Sequence, residues 1–216
     1  MPAVCFDENN FHFPPVSEAD DEGLVLIGGK VTPARVIEAY NKGIFPWYNE
    51  ESFPLWWSPD PRFVLFPDEL HISNSMQKVL SKGTFAFRMN SAFDEVIDGC
   101  ATVSRREQDG TWITANMKKV YSQLHTTGYA VSAEAWKDDE LVGGMYGLRL
   151  GRVFFGESMF SKVSNASKFA FIKYVQHLKK DGVSLIDCQV YTEHVESLGA
   201  RLVARQDYLA LLHELI

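Results

Sequence analysis

From residue 129 to residue 191 the sequence alternates β-forming runs with one long helical segment, and this order constrains the fold more than any other feature. The strand patterns lie at 129–136, 140–148, 152–155 and 183–191, and the helical pattern lies at 165–180. Shorter helical patterns precede and follow this region. The order helix, antiparallel strands, helix, strand, helix predicts an α/β (α+β) domain built on a mixed sheet.

Two further helices are indicated by their start and stop residues. Thr32 and Pro33 are typical of a helix N-terminus, and Gly43 is typical of the position just after a helix. Ser91 and Asp94 have the spacing of a capping box, in which each side chain bonds a free backbone amide of the first turn. The sequence therefore predicts helices that begin near residues 33 and 92.

The segment WWSPDPR, residues 56–62, separates two regions of different composition. Before it the chain is rich in proline, glycine and aromatic residues; after it the strand and helix patterns begin. Pro59 and Pro61 exclude a regular helix here and favour a rigid extended path. We predict a small N-terminal domain over residues 1–61 and a larger α/β domain over residues 62–216.

Composition limits the kinds of partner. The chain has 216 residues, 46% of them hydrophobic, which is enough to bury a core without disulfides or metals. The net charge of −7 argues against a protein that grips a long phosphate backbone, because such proteins usually carry a basic surface. If RNA is bound, we expect only a short piece to be held, with help from basic pairs such as Arg105–Arg106 and Lys118–Lys119.

No metal, cofactor or membrane association is predicted. Three widely spaced cysteines show no CxxC pattern, and the histidines, including His194, lack the spacing of metal ligands. The first ten residues have no secretory pattern, and no run approaches the roughly 20 apolar residues of a membrane span. We therefore expect a cytoplasmic protein.

A carboxylate and a carboxamide lie close together in the last strand pattern. Strand alternation places Asp187 and Gln189 on one face. A buried carboxylate needs hydrogen bonds, water or a cation. The pair could serve an incoming amine, or it could satisfy a neighbouring loop, and the pattern alone leaves both interpretations open.

The glycine-rich segment 143–147 and the run that follows it predict a hairpin beside an apolar pocket. Met145, Phe154 and Met159 could line that pocket, because methionine adapts to ligands of varied shape. Ordinary core packing is the alternative for each of them. Glu157 stands out among these residues, because a carboxylate in an apolar cluster needs a partner such as an ammonium group.

Four tryptophans lie in segments flanked by proline or glycine. For Trp47 and Trp112 we favour stacking on a base. For Trp56 and Trp57, packing at a domain interface is at least as good an explanation.

Several long blocks together resemble one family, the leucyl/phenylalanyl-tRNA–protein transferases. They are GIFPWY, LWWSPDPR, EQDGTWIT, ELVGGMYGL, FGESMFSKVSNASK and LIDCQVYTEHVESLGA, and they span residues 43–200. The resemblance implies a GNAT-type acyltransferase domain behind a small N-terminal domain. It also implies an activity: transfer of Leu or Phe, and possibly Met, from aminoacyl-tRNA to the N-terminal Lys or Arg of acceptor proteins, which marks them for N-degron degradation.

The same resemblance implies site roles without a metal or cofactor. Asp187 and Gln189 would orient and activate the acceptor amine, with Glu157 near the reacting centre. Trp47 and Trp112 would hold the terminal adenosine. Met145 and its neighbours, Phe154 and Met159, would form the aminoacyl pocket. Because aminoacyl-tRNA is already an activated ester, the enzyme chiefly has to align it with an amine. We expect Asp187 to accept the proton; positioning alone, assisted by the ribose hydroxyl, is the alternative.

Two other functions remain open from the sequence. An acetyl-CoA-dependent N-acetyltransferase of the same fold would need a glycine-rich phosphate loop, whereas residues 161–167 contain no glycine. A non-catalytic protein that binds RNA 3′ ends would use the tryptophans but would have no need for Asp187 and Gln189.

Overall fold

The computed structural model describes residues 2–5, 7, 12–102 and 113–216. A small sheet forms first, with strands in the order β1-β2-β4-β3. Its strands are β1 (Ala3–Val4), β2 (Leu24–Ile27), β3 (Phe45–Pro46) and β4 (Leu55–Trp57). Helix α1 (Pro33–Asn41) joins β2 to β3. It begins and ends as predicted: the Thr32 hydroxyl accepts the amide of Arg35, and Gly43 has a φ of 72°.

The second sheet has seven strands in the order β11-β5-β10-β9-β8-β7-β6. They are β5 (Arg62–Leu65), β6 (Ala86–Met89), β7 (Ala130–Lys137), β8 (Glu140–Leu150), β9 (Val153–Ser161), β10 (Leu185–Gln189) and β11 (Arg201–Val203). Strands β9 and β10 are parallel, and the other neighbours are antiparallel. The predicted α/β class with a mixed sheet is confirmed.

Helices cover the second sheet. They are α2 (Asn74–Ser81), α3 (Phe93–Thr102), α4 (Ala115–Thr126), α5 (Ala166–Lys180), α6 (Glu193–Glu196) and α7 (Arg205–Leu215). Helix α5 makes the crossover between the parallel strands β9 and β10. Among the described residues, no helix is long and apolar enough to cross a membrane.

Two hydrophobic clusters form the core. One lies on the α5 face and includes Phe154, Phe169 and Ile172. The other joins α3, α4 and α7 to the N-terminal region, so that Tyr40 shares a cluster with Tyr208. The predicted boundary at residue 61 falls between the last strand of the small sheet and the first strand of the large one. It stays a prediction, because the two regions share this second cluster.

Two glycines of β8 allow neighbouring segments of the chain to approach the strand closely. A Cβ added at Gly143 would lie 2.6 Å from the Cβ of Ala166, at the start of α5. A Cβ at Gly147 would lie 2.1 Å from the carbonyl oxygen of Phe155. The predicted hairpin is confirmed, and the close approach at these two glycines is made by α5 and by strand β9.

Helix α3 forms where it was predicted, but the predicted capping box is wrong. The amides of Ser91 and Ala92 donate to Oε1 of Glu134 at 2.9 and 3.0 Å, and the Ser91 hydroxyl donates to its Oε2. Asp94 instead accepts the hydroxyl of Ser122 at 2.7 Å. A carboxylate from β7 therefore caps this helix.

Candidate active site

A cavity of about 460 Å³ lies where strands β9 and β10 separate. The two strands pair only as far as Asp187 and Phe155. Beyond that point β9 continues to Ser161 while β10 turns away, and both strands contribute to the cavity wall. The volume lies within the range of small-molecule binding sites. Its apolar wall contains Met145, Met159, Phe160, Phe171, Ile186 and Val195.

Strand β10 turns away because of a local irregularity at Gln189. The register opposite β5 shifts between Asp187 and Gln189. Gln189 has a φ of 64°, which is uncommon for a residue with a side chain. Its amide donates to Oδ1 of Asp187 at 2.9 Å, and this bond closes a tight local turn. The turn places the carboxamide of Gln189 in the cavity wall.

Asp187 is fully buried and is not part of the cavity wall. Arg62 donates from Nε to Oδ1 at 2.8 Å and from Nη2 to Oδ2 at 2.7 Å. The hydroxyl of Tyr208 also donates to Oδ2, at 2.9 Å. Burial lowers the pKa of Arg62, but the charge of Asp187, the hydrogen bond to it and the nearby tyrosines Tyr208 and Tyr40 together outweigh burial and raise that pKa above its ordinary value. The carboxylate that we predicted to receive the amine's proton thus already has a cationic partner.

Glu157 is the carboxylate that lines the cavity, with 9% of its surface exposed. The hydroxyl of Tyr40 donates to its Oε1, and Nε2 of Gln189 lies 3.4 Å from the same oxygen. The hydroxyls of Tyr40 and Tyr121 are 3.1 Å apart. Burial raises the pKa of Glu157 to about 7; the charge of Asp187 adds to this, and hydrogen bonds from Tyr40, Tyr121 and Gln189 oppose it.

The two tyrosines remain donors. Burial, reinforced by the negative charge of Glu157, raises the pKa of both Tyr40 and Tyr121 well above the ordinary value. Helix α1 supplies Tyr40, whereas β9 supplies Glu157 and β10 supplies Gln189. The site is therefore a carboxyl group that titrates near neutrality, surrounded by fixed donors.

Part of the cavity wall is formed by the aromatic segment around β3. Phe45, Pro46 and Trp47 line the cavity, and the indole of Trp57 donates to the carbonyl of Trp47 at 2.8 Å. Trp56 is fully buried and donates to the carbonyl of Gly28 at 2.9 Å. This contact agrees with a packing role for Trp56. The predicted partner of Trp47, Trp112, lies outside the described residues.

Of the predicted pocket residues, Met145 and Met159 line the cavity and Phe154 does not. Phe154 is opposite Ile186 in the part of the sheet where β9 and β10 still pair. Its ring packs against Tyr174, with centroids 4.9 Å apart. It belongs to the core on the α5 side, below the point of separation.

The cavity wall also contains Cys188 and His194. Burial, and next the charge of Asp187, raises the pKa of the Cys188 thiol, so the nucleophilic thiolate is disfavoured. Burial, with the nearby charge of Lys168, lowers the pKa of His194. In the part of the chain that the structure describes, no cluster of His, Cys, Asp and Glu could hold a metal ion.

Sequence reasoning missed Arg62, Tyr40, Tyr121 and Tyr208. Arg62 could have been suspected, because it opens a strand pattern whose other residues are apolar. The tyrosines occupy ordinary apolar positions in their helices, and nothing local marks them.

Known proteins match nearly the whole chain in sequence. Residues 64–213 match the family model for leucyl/phenylalanyl-tRNA protein transferase, and residues 29–60 match the model for its N-terminal domain. The chain is 55% identical to a leucyl/phenylalanyl-tRNA–protein transferase of Christiangramia forsetii, over 93% of this chain and 95% of the relative. It is also 55% identical to one of Flavobacterium johnsoniae, over 93% of this chain and 94% of the relative.

Solved structures show weaker similarity. The structure of L-PGS from Bacillus licheniformis has 13% identity and a TM-score of 0.43, covering 80% of this chain and 57% of that one. A GCN5-related N-acetyltransferase from Kribbella flavida has 10% identity and a TM-score of 0.42, covering 76% of this chain and 58% of that one. This chain spans little more than half of each.

The protein is an aminoacyltransferase, and the enzyme class predicted from the sequence is confirmed. The chain belongs to the leucyl/phenylalanyl-tRNA–protein transferase family. Its activity is the transfer of an aminoacyl group from tRNA to a protein. The acetyltransferase and the non-catalytic RNA-binding alternatives are set aside.

Proposed function

We propose that the cavity holds the aminoacylated 3′ end of a tRNA and that Glu157 deprotonates the N-terminal amine of an acceptor protein beginning with Lys or Arg. The observation that supports this most is the position of Glu157. It is a buried carboxyl in a largely apolar cavity, within hydrogen-bonding distance of Tyr40 and Gln189. We further propose that the reaction takes place in the cytoplasm.

The apolar part of the cavity suits the side chain of Leu or Phe. Met145 and Met159 lie on neighbouring strands and are paired in register across β8 and β9. Their flexible thioethers can adapt to a branched, an aromatic or an unbranched side chain. Phe160, Phe171 and Ile186 add further apolar side chains to the wall. Such a wall selects for apolar side chains and accommodates Met as well.

The aromatic segment 45–47 suits the terminal adenosine. The indole of Trp47 is partly exposed and its backbone is held by Trp57, so that it presents a pre-positioned surface for a base. Trp112 is proposed as the second adenosine contact on the strength of the family resemblance. Phe45 and Pro46, which precede Trp47 in the chain, also line the cavity.

The reaction needs one bond to form and one to break. The acceptor amine attacks the ester carbonyl carbon, the new C–N bond forms, and the C–O bond to the ribose breaks. Glu157 takes the proton that the amine loses and returns it to the ribose oxygen, so no net proton is consumed. The Gln189 carboxamide can orient the amine beside Glu157. We assign Asp187 a positioning role, because Arg62 and Tyr208 occupy its oxygens.

The acceptor preference follows from charge. A carboxylate at the reacting centre of a protein with net charge −7 favours a cationic N-terminal residue. We infer that an N-terminal Lys or Arg is accepted and that the product enters N-degron degradation.

The test uses labelled phenylalanyl-tRNA with three peptides of one sequence that begin with Arg, with Asp and with acetylated Arg. We expect transfer to the first peptide only. In the Glu157→Gln variant, kcat should fall by about 10²-fold or more, the range for loss of a general base. Glu140→Gln, a change at the exposed first residue of β8, is the matched control and should leave kcat unchanged. Equal transfer to the Asp peptide would rule out the acceptor assignment, and an unchanged kcat in Glu157→Gln would rule out the proton transfer.

A further inference from the structure

We propose that Arg62 is a positioning residue for the transfer reaction. Through Asp187 it holds Gln189 in the left-handed conformation that directs the carboxamide toward Glu157. The proposal rests on the proposed function of Gln189.

The guanidinium of Arg62 is fully buried and connects three parts of the chain. From β5 it donates twice to Asp187 on β10. Its Nη1 donates to the carbonyl of Gly43, just before β3, at 3.2 Å. Its Nη2 lies 3.5 Å from the hydroxyl of Tyr208 on α7. A lysine has a single ammonium and cannot reproduce this fork of donors.

Two aromatic rings hold the plane of the guanidinium. Its carbon lies 4.7 Å from the ring centroid of Phe45 and 4.7 Å from that of Tyr208. Phe45 lines the cavity two residues before Trp47. The same cation therefore touches the aromatic wall on one side and the carboxylate behind Gln189 on the other.

Each carboxylate oxygen of Asp187 accepts two hydrogen bonds. Oδ1 accepts Nε of Arg62 and the amide of Gln189, and Oδ2 accepts Nη2 of Arg62 and the Tyr208 hydroxyl. Bidentate pairing fixes the plane of the carboxylate, so Oδ1 stays aimed at the Gln189 amide. Without Arg62, a buried carboxylate loses its countercharge and becomes protonated or changes its position. Gln189 then loses the bond that holds its unfavourable φ.

A double-mutant cycle tests whether Arg62 acts through Gln189. We expect Arg62→Lys to lower kcat by about 10- to 100-fold, as for lost positioning, with KM for phenylalanyl-tRNA changed less than about twofold. In a Gln189→Ala background the same change should cause no further loss of kcat. Arg149→Lys is the matched control and should keep kcat, because Arg149 pairs with Asp181 at the protein surface.

Two further variants separate positioning from stability. Tyr208→Phe removes one hydroxyl from Asp187 without removing a charge, and it should lower kcat a few-fold, again only when Gln189 is present. The double variant Arg62→Met/Asp187→Leu removes both buried charges, a change that proteins often tolerate. That double variant should melt as a folded protein yet have the kcat of Gln189→Ala, because the Gln189 amide has lost its acceptor.

The outcomes are distinguishable. If Gln189→Ala keeps the wild-type kcat, the proposed role of Gln189 is wrong and Arg62 has no residue to act through. If Gln189→Ala is slow but the losses from Arg62→Lys and Gln189→Ala multiply, Arg62 acts independently and this inference is overturned. Wild-type kcat in the folded Arg62→Met/Asp187→Leu variant would overturn it as well. If Arg62→Lys does not fold, the cycle with Tyr208→Phe decides by the same criterion.

Discussion

Gln189 contacts two carboxylates whose surroundings give them different properties. Its amide donates to Asp187, and its carboxamide lies 3.4 Å from Oε1 of Glu157. Asp187 has a buried cation beside it, whereas burial without a cation raises the pKa of Glu157 to about 7. Pairs of acidic groups with separated environments are typical of sites where one group holds a charge and the other moves a proton.

The Glu157→Gln variant should change the pH dependence of kcat. In the wild-type enzyme kcat should rise with pH through about 7 as Glu157 loses its proton. The acceptor amine, with an ordinary pKa of about 7.7–8.0, adds a second rise. In the variant the first rise should disappear while the second remains. A wild-type profile that lacks the rise near 7 would contradict the assignment.

The same variant should gain stability at high pH. The folded-state pKa of Glu157 is raised above 4.5, so its contribution to stability is present below pH 4.5 and is lost as the pH rises through about 7. A glutamine at this position carries no such penalty. We therefore expect the Tm of Glu157→Gln to exceed that of the wild type at pH 8 and to approach it at pH 4.5. A lower Tm at pH 8 would mean that the carboxylate stabilises the fold.

Trp47→Ala should weaken binding of the aminoacyl-adenosine end by about 1–3 kcal/mol, the range for loss of one base-stacking partner. The measurement is the Kd of a minimal aminoacyl-adenosine mimic on protein shown to be folded. Phe53→Ala is a suitable control, because the Phe53 ring is 71% exposed and does not line the cavity. An unchanged Kd together with a lowered Tm would assign Trp47 a structural role only.

At the scale of elements, the sequence predicted those helix ends that are determined by residues close to them in the chain. Thr32, Pro33 and Gly43 lie within one helix and its ends, so α1 could be placed closely. The capping of α3 could not be predicted, because Glu134 is 42 residues from Ala92 and Ser91 with Asp94 offered a plausible local alternative. For the same reason the sequence did not reveal the pairing of Arg62 with Asp187, because the two residues are 125 positions apart.

Glu134→Gln should destabilise the protein by about 1–3 kcal/mol, because buried donors lose an acceptor. Burial raises the pKa of Glu134, but hydrogen bonds, from Ser91 first, then Ala92, Trp136 and Ser132, outweigh it and lower the pKa below 4.5. Its stabilisation is thus present above pH 4.5 and is lost as the pH falls through the folded-state pKa.

Denaturant unfolding of wild type and Glu134→Gln at pH 7 and at progressively lower pH measures this effect. The difference in unfolding free energy between wild type and Glu134→Gln should become smaller as the pH falls. Glu140→Gln, an exposed carboxylate change, should cause no difference at either pH. A difference in unfolding free energy that grew at low pH would contradict the capping role of Glu134.

At the scale of the whole molecule, the charge distribution limits the contact with tRNA. Several basic side chains already pair with acidic ones at the surface, including Lys118 with Asp98 at 2.6 Å and Lys179 with Asp68 at 2.7 Å. Arg105 and Arg106 lie outside the described residues. With a net charge of −7, we expect few phosphate contacts and recognition centred on the aminoacylated end.

The affinity for charged tRNA should therefore depend weakly on salt. Counterion release gives a slope of about −0.7 to −0.9 per phosphate contact, so a handful of contacts gives a shallow line. A minimal aminoacyl-adenosine donor should also remain active. Measuring donor Kd against salt with both substrates tests this expectation. A steep slope together with an inert mimic would show that the body of the tRNA is gripped.

The bonds of the site join residues that are far apart along the chain: Tyr40 to Glu157 over 117 residues, Arg62 to Asp187 over 125 and Arg62 to Tyr208 over 146. Contacts of such long sequence separation form late in folding, because large loops must close first. During synthesis, the network around Asp187 cannot close until residue 208 has left the ribosome. A nascent chain therefore completes the network that holds Gln189 only after all seven strands of the large sheet have emerged.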